Sequence, residues 1–317
     1  MGFYSLNIIE LVEARQFTVK KKRKISMQQV VKKLSFIGLG KMGRPLAEKL
    51  LAAGYPVTGH DKYEKVEKLF SGKVGHTLRD TLNEADLVIT MLPSGKEVEE
   101  VLLKNNNFLI TSKDCVFLDM SSSSPFDTIS LGERLNGRGG LLDAPVSGGV
   151  KRAEEGSLSI MVGGPHNLYL RQKKLFDTLA GKVFYCGELG SGHAMKSLNN
   201  YVSAAGLIAA CEALIAAENF GISPELFIDI LNHSTGKNDA TENKLKRFVT
   251  SQAFNSGFSL NLQAKDVKNA AVFSEHMGLK LSSLNKFSEI LREATDYFAS
   301  EIDHTEIYKF LKNKNDV

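Results

Sequence analysis

Three features of this 317-residue sequence predict an α/β domain built on a mostly parallel sheet, followed by an all-α domain. From Leu34 to about Cys186, short apolar runs alternate with amphipathic stretches of helical length. That is the signature of strand–helix–strand units whose helices cover both faces of a sheet. The first run leads straight into a glycine-rich turn. After Gly192 the short β-branched runs stop and long helical patterns take over.

In chain order, the strand candidates are Lys33–Ile37, Pro56–His60, Leu87–Met91, Val116–Asp119, Gly140–Asp143, Leu158–Val162 and Lys182–Cys186. Amphipathic segments such as Gly43–Ala53, Gly95–Leu103 and Pro125–Leu135 lie between them. The later helical patterns cover about His193–Phe220, Pro224–Leu231, Thr241–Ser251, Leu262–Met277 and Ser283–Phe298. Gly221 is placed to stop the first, and Ser223-Pro224 reads as an N-cap followed by the first helical position. That first helix is apolar nearly all round, which predicts burial on every side. At about 1.5 Å per residue it would run roughly 40 Å, long enough to join two domains. The expected plan is a poorly ordered extension at 1–32, a nucleotide-binding domain at 33–191 and a helical domain for substrate and dimerisation at 192–317.

Composition excludes several classes. With 43% hydrophobic and 24% charged residues, the chain is not a disordered polyelectrolyte. The longest apolar run, Tyr201–Ala217, is interrupted by Glu212, so no membrane span is expected. The net charge is +4, but it is unevenly placed. Residues 1–32 hold Arg15, Lys20, Lys21, Lys22, Arg23, Lys24 and Lys32 against Glu10 and Glu13, which exceeds the whole chain's excess by one. The body is therefore close to neutral, which argues against nucleic acid as a partner. Cys115, Cys186 and Cys211 form neither a disulfide framework nor a zinc pattern, and point to a reducing, cytoplasmic setting. The run Lys20–Lys24 leaves a nuclear or mitochondrial address open. It follows the apolar stretch Asn7–Val12, the wrong order for a secretory signal. Met27 is a second candidate start.

The turn itself is Ile37-Gly38-Leu39-Gly40-Lys41-Met42-Gly43, a G-x-G-x-x-G that follows a strand and opens a helix. The first glycine permits the tight turn, the second lets backbone approach a pyrophosphate, and the third lets helix pack on strand. Gly38, Leu39, Gly40, Met42 and Gly43 are therefore candidate cofactor contacts. Asp61 ends the next strand, where a carboxylate accepts from ribose hydroxyls and repels a 2′-phosphate. NAD is thus expected over NADP, with Lys62 read as a solvent-facing turn residue. The N-terminal part is accordingly expected to be a Rossmann-type domain, connected by the long helix to the all-α C-terminal domain.

Further segments carry a family resemblance. They are Asp143-Ala-Pro-Val-Ser147-Gly148-Gly149, Gly190-Ser-Gly192 leading to Lys196-Ser-Leu-Asn199-Asn200, Phe258 through Lys265-Asp266, and Met91-Leu92-Pro93 with Asp119 to Pro125. With the glycine turn they resemble, in order, the β-hydroxyacid dehydrogenases, the group of 3-hydroxyisobutyrate, tartronate-semialdehyde and threonate enzymes. The resemblance implies NAD(P)-linked oxidation of a small hydroxy acid or reduction of its semialdehyde. It implies Lys196 as catalytic acid/base and Asn200, with Asn199, holding the substrate hydroxyl. Lys196 and Asn200 are i, i+4 and share a helix face. A lysine buried there beside a positive nicotinamide ring would lose basicity and become able to accept a proton.

Ser147, Gly148 and Gly149 can turn several N–H groups and one hydroxyl to a single point, which suits a carboxylate. By resemblance Leu92, Pro93, Ser122, Phe258 and Lys265 line the cofactor side, with Asp266 anchoring Lys265. Ser122 stands where relatives usually have Thr. The loop His233–Asn238 resembles one that lines the substrate pocket in relatives, many of which carry Arg at the position of Lys237. No metal is expected, because His193 and His233 lack a carboxylate or Cys at suitable spacing. Two other readings share the architecture: a non-catalytic chromatin-associated member and an imine reductase. Both replace the lysine, so Lys196 counts against them. The apolar helix also predicts a homodimer or homotetramer.

Overall fold

Four strands that lie side by side are buried along nearly their whole length: β1 (Leu34–Ile37), β4 (Leu87–Thr90), β5 (Val116–Asp119) and β6 (Gly140–Asp143). The structure, a computed structural model, describes residues 31–135 and 137–315. The extension's basic run and Met27 lie outside the described residues. The other strands are β2 (Val57–His60), β3 (Lys73–Val74), β7 (Val146–Ser147), β8 (Leu158–Gly163) and β9 (Ala180–Gly187). Their order is β3-β2-β1-β4-β5-β6-β8-β7, with β9 also paired to β8.

Every pair from β3 to β6 is parallel. Only β6–β8 and β7–β8 are antiparallel, so the sheet is mostly parallel. The two-residue strands β3 and β7 are too short to leave a periodic signal, and sequence reading passed over them.

Period-two alternation divides the strand side chains between two cores. Leu34, Phe36, Leu87, Ile89, Val116 and Leu118 face one core with Leu46, Leu50 and Phe176. Ile37, Val88, Phe117 and Leu141 face the other with Val98, Leu102 and Leu131. The helices covering these faces are α1 (Gly43–Ala52), α2 (Glu64–Glu67), α3 (Leu78–Leu82), α4 (Gly95–Leu103), α5 (Pro125–Arg134), α6 (Gly149–Glu155) and α7 (His166–Leu179). The register aligns Ile37, Thr90, Asp119 and Asp143 in one row, so the strands' carboxyl ends finish level. The strand order reverses between β1 and β4. In open α/β sheets that crevice is where ligands bind.

Beyond β9 the described chain is helical: α8 (Ser191–Phe220), α9 (Pro224–Asn232), α10 (Asp239–Asn243), α11 (Leu260–His276), α12 (Ser282–Phe298) and α13 (Ile307–Lys314). Their core gathers Leu207, Cys211, Leu214, Leu245, Val267, Leu291 and Ile307. The expected helix Thr241–Ser251 is broken. Asn238 closes a capping box with Thr241 at the start of α10, which ends at Asn243, and a π-turn follows over Leu245–Val249.

Helix α8 bears on two expectations. It is long and apolar enough to cross a membrane by length and composition, yet it packs on β8, α10, α11 and α13 as a core helix. Nor is it buried on every side: Val202 is 67% exposed, and Met195 and Phe220 also face outward.

Candidate active site

The glycine turn is built by contacts that leave one side open. A Cβ on Gly38 would lie 2.3 Å from the Met91 carbonyl oxygen, and one on Gly43 would lie 1.9 Å from that of Gly38. Both glycines are therefore demanded by the fold. Gly40 is not, since a Cβ there would meet nothing within 4 Å. At the start of α1, Met42 gives no side-chain cap; the Arg44 N–H already donates to the Gly40 carbonyl and Pro45 has no N–H, so the Gly43 N–H is the first-turn donor left for a ligand anion among the described residues. A bare helix start beside an open glycine fits the pyrophosphate of a dinucleotide.

Asp61 serves this turn directly. Its carboxylate accepts from the Leu39 N–H at 2.8 Å and the Tyr63 N–H at 3.0 Å. Its own N–H donates to Glu67. Each carboxylate oxygen keeps capacity for a further donor, so ribose hydroxyls fit there. Lys62 is exposed, with its ammonium 5.0 Å from the Tyr63 ring centre.

The ends of β4 and β5 meet α11 across the crevice. The Leu92 N–H donates to Ser121 Oγ at 2.9 Å, and the Leu92 side chain covers Gly38. Lys265 Nζ donates to the carbonyls of Pro93 (2.7 Å) and Ser122 (2.5 Å). Asp266, only 2% exposed, accepts from Ser122 Oγ at 2.6 Å and from Asn200 Nδ2 at 2.6 Å. Asn199 Nδ2 donates to Asn200 Oδ1 at 3.1 Å. The structure thus joins Leu92, Pro93, Ser122, Lys265, Asn199 and Asn200 into one assembly spanning the sheet and the helices.

Lys196 lies one turn before Asn200 on α8. It is part-buried and has neither hydrogen-bond nor ion-pair partner among the described residues. Burial holds its pKa below the ordinary lysine value; the Asp266 charge works against that lowering and Lys265 adds to it. A base of this kind accepts a proton more readily at neutral pH than a surface lysine does.

No hydrogen bond among the described residues ties Ser147, Gly148 and Gly149 to that assembly. They follow β6 at the end of β7, with Gly148 at φ +138° and Gly149 at φ +72°. Two successive residues in that region expose backbone N–H groups that no side chain shields. Phe258 is held by the C-terminal segment: its ring meets His304 edge-on at 5.3 Å, and its carbonyl accepts from the His304 N–H. In the loop 233–238, Lys237 forms an exposed ion pair with Glu242, and Asn238 caps α10.

Sequence reading missed a buried support. Asp143 accepts from the N–H groups of Gly190 (2.8 Å) and His193 (2.7 Å), fixing the start of α8 to β6. The fully buried His193 ring reaches Thr128 Oγ1 at 2.8 Å through Nδ1 and the Ser121 carbonyl at 3.2 Å through Nε2. Asp119 accepts from Thr90, Ser123 and the Ser121 N–H. The available signal was a carboxylate ending an apolar strand, VFLD and GLLD, which must find donors once buried. No metal-ligating group of three or more is assembled among the described residues.

Comparison with known proteins agrees with this fold. Residues 33–187 match the NAD binding domain of 6-phosphogluconate dehydrogenase, and residues 190–311 match a second family model, described as NAD-binding of NADP-dependent 3-hydroxyisobutyrate dehydrogenase. The chain is 33% identical over 307 residues to a probable mitochondrial 3-hydroxyisobutyrate dehydrogenase of Arabidopsis thaliana, covering 89% of this chain and 88% of that one. It is 34% identical over 284 residues to 2-hydroxy-3-oxopropionate reductase of Escherichia coli (strain K12), covering 88% and 97%. Among solved structures, 3-hydroxyisobutyrate dehydrogenase of Mycobacterium tuberculosis with L-serine superposes at a TM-score of 0.82 and 29% identity, covering 90% and 100%. An imine reductase from Myxococcus stipitatus in complex with NAD+, at 18% identity and a TM-score of 0.59 over 88% and 99%, shares the fold alone. Similarity at this level along both chains shows that the protein belongs to the 3-hydroxyisobutyrate dehydrogenase-like family of NAD(P)-dependent hydroxyacid dehydrogenases.

Proposed function

We propose that the protein moves a hydride between NAD and the alcohol carbon of a small 3-hydroxy acid of the 3-hydroxyisobutyrate kind, or reduces the matching semialdehyde. Lys196 is the general acid/base. The observation that carries this reading is the unpartnered, weakened Lys196 amine one helical turn from an Asn200 whose amide is already fixed. NAD supplies the hydride acceptor when bound. Gly38–Gly43 and Asp61 hold the dinucleotide, and Leu92, Pro93, Ser122, Phe258 and Lys265 border its reactive end. Ser147, Gly148 and Gly149 take the substrate carboxylate through backbone N–H groups and one hydroxyl. Neutral Lys196 removes the hydroxyl proton during oxidation, and the protonated amine returns it during reduction.

The chain carries the lysine that a non-catalytic or imine-reducing member replaces. Its exposed Val202 and Met195 on α8 support a homodimer or homotetramer, which light scattering showing only one 34.8 kDa chain at micromolar concentration would contradict. Free thiols at Cys115, Cys186 and Cys211 support a reducing, cytoplasmic location. The test of function is NADH absorbance across a panel of C3–C6 hydroxy acids. Turnover is expected with a 3-hydroxy acid, and activity confined to imines would overturn the reading.

A further inference from the structure

Asp266 reaches further than the Lys265 that it was expected to anchor. It is almost fully buried, and its two oxygens take one donor from each half of the molecule: Ser122 after β5 and Asn200 on α8. Lys265 beside it is 3.5 Å away, with its ammonium held by two carbonyls. We propose that Asp266 is a positioning residue whose carboxylate fixes which atoms of Ser122 and Asn200 remain free for ligands and balances the charge around Lys196. This inference rests on the reading of Lys196 as the proton-transferring group.

An ionised carboxylate only accepts hydrogen bonds. Ser122 has a single hydroxyl hydrogen and commits it to Asp266, so toward any ligand the Ser122 hydroxyl can act only as an acceptor. Asn200 commits one Nδ2 hydrogen to Asp266, and its Oδ1 already accepts from Asn199. The second Nδ2 hydrogen and one Oδ1 lone pair remain. Asp266 thereby holds the Asn200 amide in the orientation that keeps a donor free, the polarity needed by a substrate oxygen that gains negative charge as its proton leaves. With Asp266 removed, both groups could rotate to the opposite polarity.

The same carboxylate acts on Lys196 without touching it. The charged groups that act on this amine, Asp266 and Lys265, both come from α11 and have opposite sign. Their effects partly cancel. Neutralising Asp266 leaves Lys265 unopposed, which disfavours the ammonium form of Lys196 beyond what burial already does.

The test is Asp266→Asn, with folding checked by thermal melting and by NADH binding. Lys196 is titrated in the cofactor-free protein by NMR of reductively ¹³C-methylated lysines, its signal assigned through Lys196→Arg. The Lys196 titration and the acid limb of oxidative kcat should both move down by on the order of one pH unit. Asp266→Glu, which keeps the charge, should hold the limb near its wild-type position even where kcat falls. Ser122→Ala should change the KM for cofactor without moving the limb. Should Asp266→Asn not fold, Lys265→Gln supplies the opposite arm and must move the Lys196 titration up. An unmoved titration in the folded Asp266→Asn protein, or in Lys265→Gln, overturns the proposal. The underlying reading fails separately, if Lys196→Ala keeps its kcat.

Discussion

Asp266 and Asn200 are joined by a 2.6 Å hydrogen bond between a buried carboxylate and a buried amide, 66 residues apart in sequence. The contact fixes α11 to α8 at the level of the candidate base. Asn200→Asp would set two carboxylates at that distance, where both cannot be ionised together. One carboxyl pKa must rise in the folded state, so the cost is largest at high pH and fades as pH falls through the raised value. The variant should be destabilised by about 2 kcal/mol near pH 8, with most of that deficit recovered near pH 5. Melting curves across this range check it, and a deficit independent of pH contradicts it.

The glycine turn separates folding from binding. Gly40→Ala meets no neighbour, so stability should stay within about 0.5 kcal/mol while the Kd for NADH rises about tenfold or more, roughly 1.4 kcal/mol. Gly43→Ala collides with the Gly38 carbonyl and should lower the melting temperature outright. Fluorescence titration of NADH distinguishes the two. Unchanged binding by Gly40→Ala would show that the open side of the turn is not the cofactor's.

Asp61 predicts a preference for NAD over NADP. Because it also accepts from Leu39 and Tyr63, Asp61→Ala should weaken both cofactors while shifting the kcat/KM ratio toward NADP. Measuring that ratio for both proteins is the check. A wild-type enzyme as efficient with NADP, with the ratio unmoved by the substitution, contradicts the assignment.

His304 gives a stability prediction. It is 4% exposed, and neither ring nitrogen has a partner in the described structure. Burial, and then the Lys244 charge, push its pKa down to about 4. The unfolded chain binds the proton first, near the ordinary histidine value of about 6.5. Stability from this residue is therefore present above pH 6.5 and is lost progressively toward pH 4, by about 3 kcal/mol in all. His304→Gln should flatten the pH dependence in that window, as urea unfolding at pH 7, 6 and 5 would show. Parallel wild-type and variant profiles would contradict it.

What was legible in the sequence was local. Glycine spacing, the placement of Asp61 one strand later and the alternation of apolar runs each lie within a short window, and each reports backbone geometry directly. Asp266 to Ser122 spans 144 residues, and no spacing rule connects them. The same holds for His193, which reads as an ordinary helix residue until Thr128 and the Ser121 carbonyl close around it. The helix expected through Thr241–Ser251 widens to a π-turn over Leu245–Val249, while the Lys244 side chain reaches Ser203 and Asp239, and neither feature is registered by helical periodicity. The exposed face of α8 shows the reverse error: composition was read as burial, though an apolar stripe can equally await a partner.

The central claim is that Lys196 carries the proton. Steady-state kinetics of Lys196→Ala on the best hydroxy-acid substrate, with NADH binding measured in parallel, test it most directly. General acid–base help of this kind amounts to roughly 10²–10⁴-fold, so kcat should fall by that factor while NADH affinity, built from Gly38–Gly43 and Asp61, stays near wild type. Lys196→Arg should fail as well, because a guanidinium does not become a neutral base at physiological pH. A Lys196→Ala enzyme within a few-fold of wild-type kcat would contradict the account and place the proton elsewhere.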